Sequence, residues 1–338
     1  MKNTAVVILA LLLVLVMAFS FGCQAAPEEP KDTPAADAPE DEPSEEPADQ
    51  PEGAKTYHIG YALDTYSNAI NAQTVVLLEA ECKARGYELT VTDGEKDASK
   101  QIDDINTLIN KGVDGILVLP IDGNSVAEGV ENAYEAGIPI ATVLRDMPTV
   151  ADKYVCFSGC DDVELGSIAG QWIVDALGGK GKVVYITGIP GVSTAENRTK
   201  GFHSVVDKYP DIEIIVEQAA NYSRSEAMTV MEAILQANPE IDAVWCANDE
   251  MAGGAYSAIE AAGREDILLG GANFQKDAYE RILAGTQTAD ITTPPQMVIA
   301  ALDAVITTLE GGTVEKTLYY PLDLITKDNV DQFLDQVY

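Results

Sequence analysis

Positive charge is scarce in this chain: 21 Lys and Arg stand against 55 Asp and Glu, a net charge of -34 at pH 7. A protein that neutralises phosphates needs Lys and Arg gathered in a patch. No such patch is visible, which argues against nucleic acid as a partner. Histidine is nearly absent, at His58 and His203 alone, and none of the five cysteines shows Cys-x-x-Cys spacing. A zinc site is not expected, nor any other metal or cofactor. Catalytic signatures are missing as well: there is no G-x-S-x-G elbow, H-E-x-x-H pair, P-loop or dinucleotide fingerprint after a first strand. The glycines of LGGKG (177–181) follow a helix-like run and read as a stop and turn. The carboxylate pairs Asp103–Asp104 and Asp161–Asp162 fall on helix starts or faces, where solvated charge is the default. Catalysis is not expected. Aromatics make up only 7% and apolar residues 46%, so the core must be built mainly from aliphatics. A chain of 338 residues exceeds one simple domain, and two lobes are expected.

The N-terminus is of another kind. Lys2 precedes TAVVILALLLVLVMAFSFGC, a basic residue followed by an apolar run ending in small residues. That is the pattern of a secretory signal over residues 1–22, with an uncleaved membrane anchor as the competing reading. SFGC is similar to a lipobox: Gly22 and Cys23 match, Ser20 and Phe21 depart. Cys23 is the expected lipid attachment site. Residues 23–55 are Pro, Ala, Glu and Asp with no aromatic or branched aliphatic residue, too little apolar surface to offset their conformational entropy. They read as an acidic stalk, and the protein is expected to be extracytoplasmic, tethered to the outer face of the cell membrane (periplasmic if Gram-negative). Of the remaining cysteines, Cys82, Cys156, Cys160 and Cys246 read as small buried residues, while Cys156 and Cys160 could bridge in an oxidising compartment.

From Tyr57 onward, short apolar runs alternate with amphipathic stretches of 10–15 residues. YHIGYAL, YELTVT, GILVLP, IPIATV and KYVCFSG read as strands of one series; KVVYIT, IEIIVEQ, IDAVWCA and ILLGG read as strands of a second. Strands apolar throughout and separated by helices indicate parallel sheets covered on both faces. The predicted fold class is α/β, two doubly wound parallel-sheet lobes. Ligands of such sheets sit beyond the carboxyl ends of the strands. Asn248 and Asp249 stand on that rim after IDAVWCA, with Asp249 the expected N-cap of the next helix and Asn248 placed to reach a cleft. Tyr66 and Tyr222, in loops at strand ends, are candidate stacking platforms; Trp172 and Trp245 read as packing.

At this point the chain resembles the type I periplasmic binding proteins, the group of ribose- and galactose-binding proteins of ABC importers. The resemblance covers roughly residues 57 to 324 and is carried by KGVDGILVLPIDGNSV, EAGIPIATVLRD, GIPGVSTAENRTKGF, ANPEIDAVWCANDEMAGGA and TLYYPLDL in that order. It implies an N-terminal lobe of 57–160 plus 293–322 and a C-terminal lobe of 161–292 plus 323–338. Three crossings would join them, near 159–161, 292–294 and 322–324. It further implies a ligand held between the lobes, closure, and a monomer that meets permease subunits. By the same resemblance Asn68, Arg145, Arg198, Tyr222 and Asn248 match ligand-binding positions. Departures stand at Ile70 and Asn71 for paired aromatics, Leu144 and Ala272 for aspartates (with Asn273 beside the latter), and Thr293 for a glutamine. Both arginines stay while both matching acids go, and a buried guanidinium without a partner costs several kcal/mol. Either Asp64, Asp146 or Glu196 turns inward, with a neutral sugar or polyol as ligand, or the ligand is a sugar acid or other small anion carrying the charge itself. A ligand-sensing subunit for a chemoreceptor or histidine kinase is the alternative function.

Overall fold

The computed structural model describes residues 55–338; the signal segment, Cys23 and the stalk up to Ala54 lie outside the described residues. The first series runs β1 (His58–Leu63), α1 (Ala69–Arg85), β2 (Glu88–Asp93), α2 (Ala98–Lys111), β3 (Gly115–Val118), α3 (Ala127–Glu135), β4 (Ile140–Val143) and β5 (Phe157–Gly159). The second runs α4 (Asp162–Ala176), β6 (Gly181–Thr187), α5 (Ser193–Val206), β7 (Ile212–Ala219), α6 (Arg224–Ala237), β8 (Ala243–Cys246), α7 (Asp249–Ala261), β9 (Leu268–Gly270), α8 (Lys276–Ala284) and β10 (Asp290–Ile291). The chain then adds α9 (Met297–Leu309), β11 (Thr317–Tyr319) and β12 (Leu324–Ile325).

The strands form two lobes. One sheet has the order β11-β5-β4-β3-β1-β2 and the other β7-β6-β8-β9, every pairing within them parallel. β10 and β12 pair antiparallel, and bridges Gly270–Ala289 and Asn273–Thr292 lay the β10 segment along the second sheet. The alternation along β1 shows why both faces need cover. Ile59, Tyr61 and Leu63 pack into a cluster with α1 and α9, while Ala62 packs with Ile116 and Val118 under α2 and α3. Fully burying each such side chain contributes about 1.5–3 kcal/mol. Gly86 ends α1, where φ of 71° lets the backbone turn back and donate to Cys82 and Lys83 carbonyls.

Periodicity in the sequence assigns no element to α8 or α9. α9 is MVIAALDAVITTL, buried against β3, β4, β5 and α1, so it carries no clean polar stripe to reveal it. The four cysteines within the described residues are all buried free thiols; Cys156 and Cys160 flank β5 in the core without bridging. Trp172 and Trp245 pack against one another in the second core, ring centroids 5.6 Å apart.

One contact of the second lobe leaves no room for side chains. A Cβ on Gly201 of α5 would lie 2.0 Å from the Val163 carbonyl oxygen of α4, and one on Gly166 of α4 would lie 2.0 Å from the Arg198 carbonyl oxygen of α5. Backbone meets backbone, so the helices must part if either glycine gains a methyl group. Gly201→Ala should lose about 1–3 kcal/mol, the range for overpacking, and thermal denaturation should show Tm lower by about 2–4 °C for each kcal/mol. An unchanged Tm would show that the two helices are not in contact there.

Candidate ligand-binding site

The carboxyl ends of both sets of strands meet at one cleft with about 500 Å³ of empty space. The first lobe supplies Asn68, Ile70 and Asn71 beyond β1, Leu119 beyond β3, and Leu144 and Arg145 beyond β4. The second supplies Thr194 and Arg198 beyond β6, Tyr222 beyond β7, Asn248 and Glu250 beyond β8, and Asn273 and Gln275 beyond β9. At these tips the strands have ended and their neighbours turn away, leaving side chains and backbone groups free to bind.

Each lobe brings one nearly buried arginine to the cleft, and each of these is neutralised within its own lobe. Arg145 Nη1 donates to Asp64 Oδ2 at 2.6 Å and to the Pro120 carbonyl at 2.7 Å. The side chains of this pair are only 9% and 5% exposed. Asp64 Oδ1 in turn accepts from the Thr65 amide and from Asn71 Nδ2, both at 2.6 Å. In the second lobe Arg198 Nε donates to Asp162 Oδ1 at 2.8 Å, and Nη1 to the Ala247 carbonyl. Burial alone would lower the pKa of both guanidinium groups, but the charges of Asp64 and Asp162 outweigh it and hold both above their usual value. For Asp162 burial dominates and raises its pKa, with Arg198 offsetting part of the shift.

These pairs correct the sequence reading. Asp64 turns inward as one of the three candidate acids. Asp146 instead accepts from the Tyr154 hydroxyl and the Met147 amide, each at 2.7 Å, and Glu196 is exposed. The partner of Arg198 is Asp162, read from sequence as solvated charge. Asp161 beside it is the N-cap of α4, accepting from the amides of Val163 and Glu164, and this turns Asp162 toward Arg198. Asp162 follows β5 directly, so the strand-tip rule that singles out Asn248 applies to it equally.

Asn248 lines the cleft as expected, but it also takes the capping role expected of Asp249. Asn248 is the N-cap of α7, its Oδ1 accepting from the Met251 amide at 3.0 Å. That backbone donor fixes the orientation of the amide and leaves Nδ2 for the cleft. Asp249 is the first helical residue, fully buried, and its Oδ2 accepts from the Gln275 amide at 2.8 Å. Asn68 precedes α1 but makes no side-chain cap, so its amide is uncommitted. Thr194 Oγ1 and Tyr222 Oη are buried with no hydrogen-bond partner among the described residues. Both line the cleft, where a ligand hydroxyl would satisfy them. Burial pushes the Tyr222 phenol up to about 12, so it stands at the cleft as a neutral donor and acceptor.

Three expected contributors stand elsewhere. Tyr66 is 44% exposed and outside the cleft lining, because the turn before α1 projects it to solvent. The Thr293 hydroxyl is buried and accepts from Asn273 Nδ2 at 2.6 Å, so it anchors a cleft residue without lining the cleft. Asp64 works behind Arg145. Thr194 and Gln275 were not singled out from sequence, although both follow strand ends. Positive φ clusters at the same rim, at Leu144 (64°), Tyr222 (56°), Asn273 (126°) and Phe274 (62°). Among the described residues no group of His, Cys, Asp and Glu could hold a metal ion.

Two parallel-sheet lobes whose strand tips share a small polar cleft define a two-lobe ligand-binding protein. The chain belongs to the family described as periplasmic binding protein domain, whose model matches residues 59–313. It is 35% identical to the ribose import binding protein of Bacillus subtilis over 274 residues, 81% of this chain and 88% of that one. Its fold is similar to the Caulobacter myo-inositol binding protein bound to myo-inositol, with a TM-score of 0.77 and 29% identity over 82% of this chain and 95% of that one. It is also similar to the fructose-binding periplasmic domain of a hybrid two-component system, with a TM-score of 0.77 and 28% identity over 83% and 94%.

Beneath the cleft lies a buried acid pair. Asp290 accepts from the Phe274 amide and from Gln287 Nε2, and Asp249, equally buried, is its charged neighbour. Burial raises the Asp290 pKa to about 6, and burial together with the charge of Asp290 also raises that of Asp249. The folded state thus holds protons that the unfolded chain releases, and stability falls as pH climbs from the unfolded value of about 4 through 6. Between about pH 5 and pH 7.5 the loss should be on the order of 1–2 kcal/mol. Thermal melts across that range should show a falling Tm, with a shallower fall in Asp290→Asn. A slope as steep in the variant as in the parent would contradict proton uptake by Asp290.

Proposed function

We propose that this chain is the extracytoplasmic substrate-binding protein of an ABC importer, and that its ligand is a small neutral sugar or polyol. The observation that carries the ligand's charge is the pair of internally neutralised arginines. With Asp64 and Asp162 in place the cleft has no bare cation to be met by an anion. What it offers are the remaining guanidinium N–H groups, the amides of Asn68, Asn248 and Gln275, and the hydroxyls of Thr194 and Tyr222. That set suits a ring or chain bearing several hydroxyl groups, and it fits relatives that bind ribose and myo-inositol.

The lobes are taken as 57–160 plus 293–322 and 161–292 plus 323–338, with crossings near 159–161, 292–294 and 322–324. The placement of α9 and β11 on the first sheet and of β12 beside β10 supports this division. Contacts from both lobes to one ligand favour the closed form over the open one, and the closed surface is what a permease would read. The apolar run after Lys2 and the Gly22–Cys23 pair support export and a lipid anchor, with a monomer delivering its ligand at the membrane surface. The similarity to the fructose-binding domain of a two-component system favours a second reading, a sensor subunit with the same cleft and closure.

A thermal-shift screen of neutral pentoses, hexoses and polyols tests the binding reading. A ligand at about a hundred times its Kd adds about 2.7 kcal/mol and should raise Tm by several degrees. Arg145→Ala should abolish the shift and also lower the basal Tm, because Asp64 is left buried and unpaired. No shift from any neutral polyhydroxyl compound would refute the reading.

A further inference from the structure

The two walls of the cleft differ in chemistry. The second lobe presents Thr194, Arg198, Tyr222, Asn248 and Gln275, all polar; the first interrupts its polar groups with Ile70, Leu119 and Leu144. The acid behind that first wall, Asp64, already serves three donors of its own lobe. Asp64 Oδ1 is taken by the Thr65 amide and Asn71, and Oδ2 by Arg145. A ligand hydroxyl pointing at Leu144 would be desolvated without an acceptor.

Leu144 is held there against backbone preference. The Arg145 amide donates to the Val143 carbonyl at 2.7 Å, and Leu144 between them has φ of 64°. That is a tight turn about a branched side chain in the left-handed region, a conformation that persists only where the surroundings impose it. The Leu144 amide bonds to the Ser158 carbonyl at 2.9 Å, and the side chain packs along the edge of the first core while facing the cleft. An Asn at this position would suit the backbone better and would supply an acceptor. The site instead keeps an aliphatic surface.

We propose that the preferred ligand is a sugar or polyol lacking a hydroxyl on one edge, a deoxy or methyl-bearing compound whose hydrocarbon edge packs on Leu144. This rests on the neutral-ligand reading above and narrows it. The second-lobe wall would take the hydroxyl-rich side, and Leu119 and Ile70 would extend the apolar contact.

Calorimetric titration of the full chain with matched sets tests the proposal. The sets are ribose with 2-deoxyribose and 5-deoxyribose, galactose with 6-deoxygalactose, and myo-inositol with its mono-O-methyl ethers. At least one deoxy or O-methyl compound should bind about tenfold or more tighter than its parent, the lower end of what one apolar group contributes in a pocket. Leu144→Asn should fold and reverse that order, while Leu144→Ala should keep the order with a smaller ratio. Parents binding as tightly or tighter in every set would overturn this proposal and leave the neutral-ligand reading intact. So would an order unchanged in Leu144→Asn. Binding by no member of any set would overturn both.

Discussion

Two ion pairs, Arg145–Asp64 and Arg198–Asp162, govern what this cleft can hold. Each guanidinium is nearly buried, and each sits within 2.8 Å of a carboxylate from its own lobe. A buried charge without a partner costs several kcal/mol, so the pairs are a condition for having arginines at the strand tips at all. Because neutralisation occurs inside each lobe, it is complete before a ligand arrives and does not depend on closure. The arginines then act as fixed hydrogen-bond donors, with geometry set by carboxylate and carbonyl partners on one side and N–H groups left over on the other.

The scaffold is arranged around that constraint. Parallel strands covered on both faces deliver their tips to one edge, so residues far apart in sequence reach the same space. The α4–α5 contact places Asp162 and Arg198 together, because Gly166 and Gly201 let the two backbones touch. Asn273 and Gln275 are held by a loop that Asp249, Asp290 and Thr293 tie down from below. In the proposed function, groups from both lobes would meet one ligand, and its capture would be coupled to closure.

Much of this was legible in the sequence, for identifiable reasons. Continuous apolar strands alternating with amphipathic helices reveal the two lobes. Arg145, Arg198, Tyr222, Asn248 and Asn68 match motifs of the family, and the structure brings all of them to the cleft lining. Asp162 was missed because neighbouring acids at a helix start look alike; only the folded chain shows that Asp161 caps and Asp162 turns inward. The same ambiguity put the cap of α7 on Asp249 when Asn248 supplies it. Tyr66 and Thr293 occupy the right segments, but whether a loop side chain points to solvent, to a neighbour or to the cleft depends on backbone dihedrals that pattern does not encode. α9 escaped because a helix buried on nearly all sides has no amphipathic contrast.

The charge of the ligand is the point on which the account turns, and competition between a neutral aldose and its aldonic acid measures it directly. Titrated by calorimetry at low and high salt, the neutral sugar should bind at least about tenfold tighter, a difference of about 1.4 kcal/mol, with a Kd that barely responds to salt. Tighter binding of the acid, weakened as salt is added, would mean that Arg145 or Arg198 carries an uncompensated charge and that the internal pairing described above does not set the ligand.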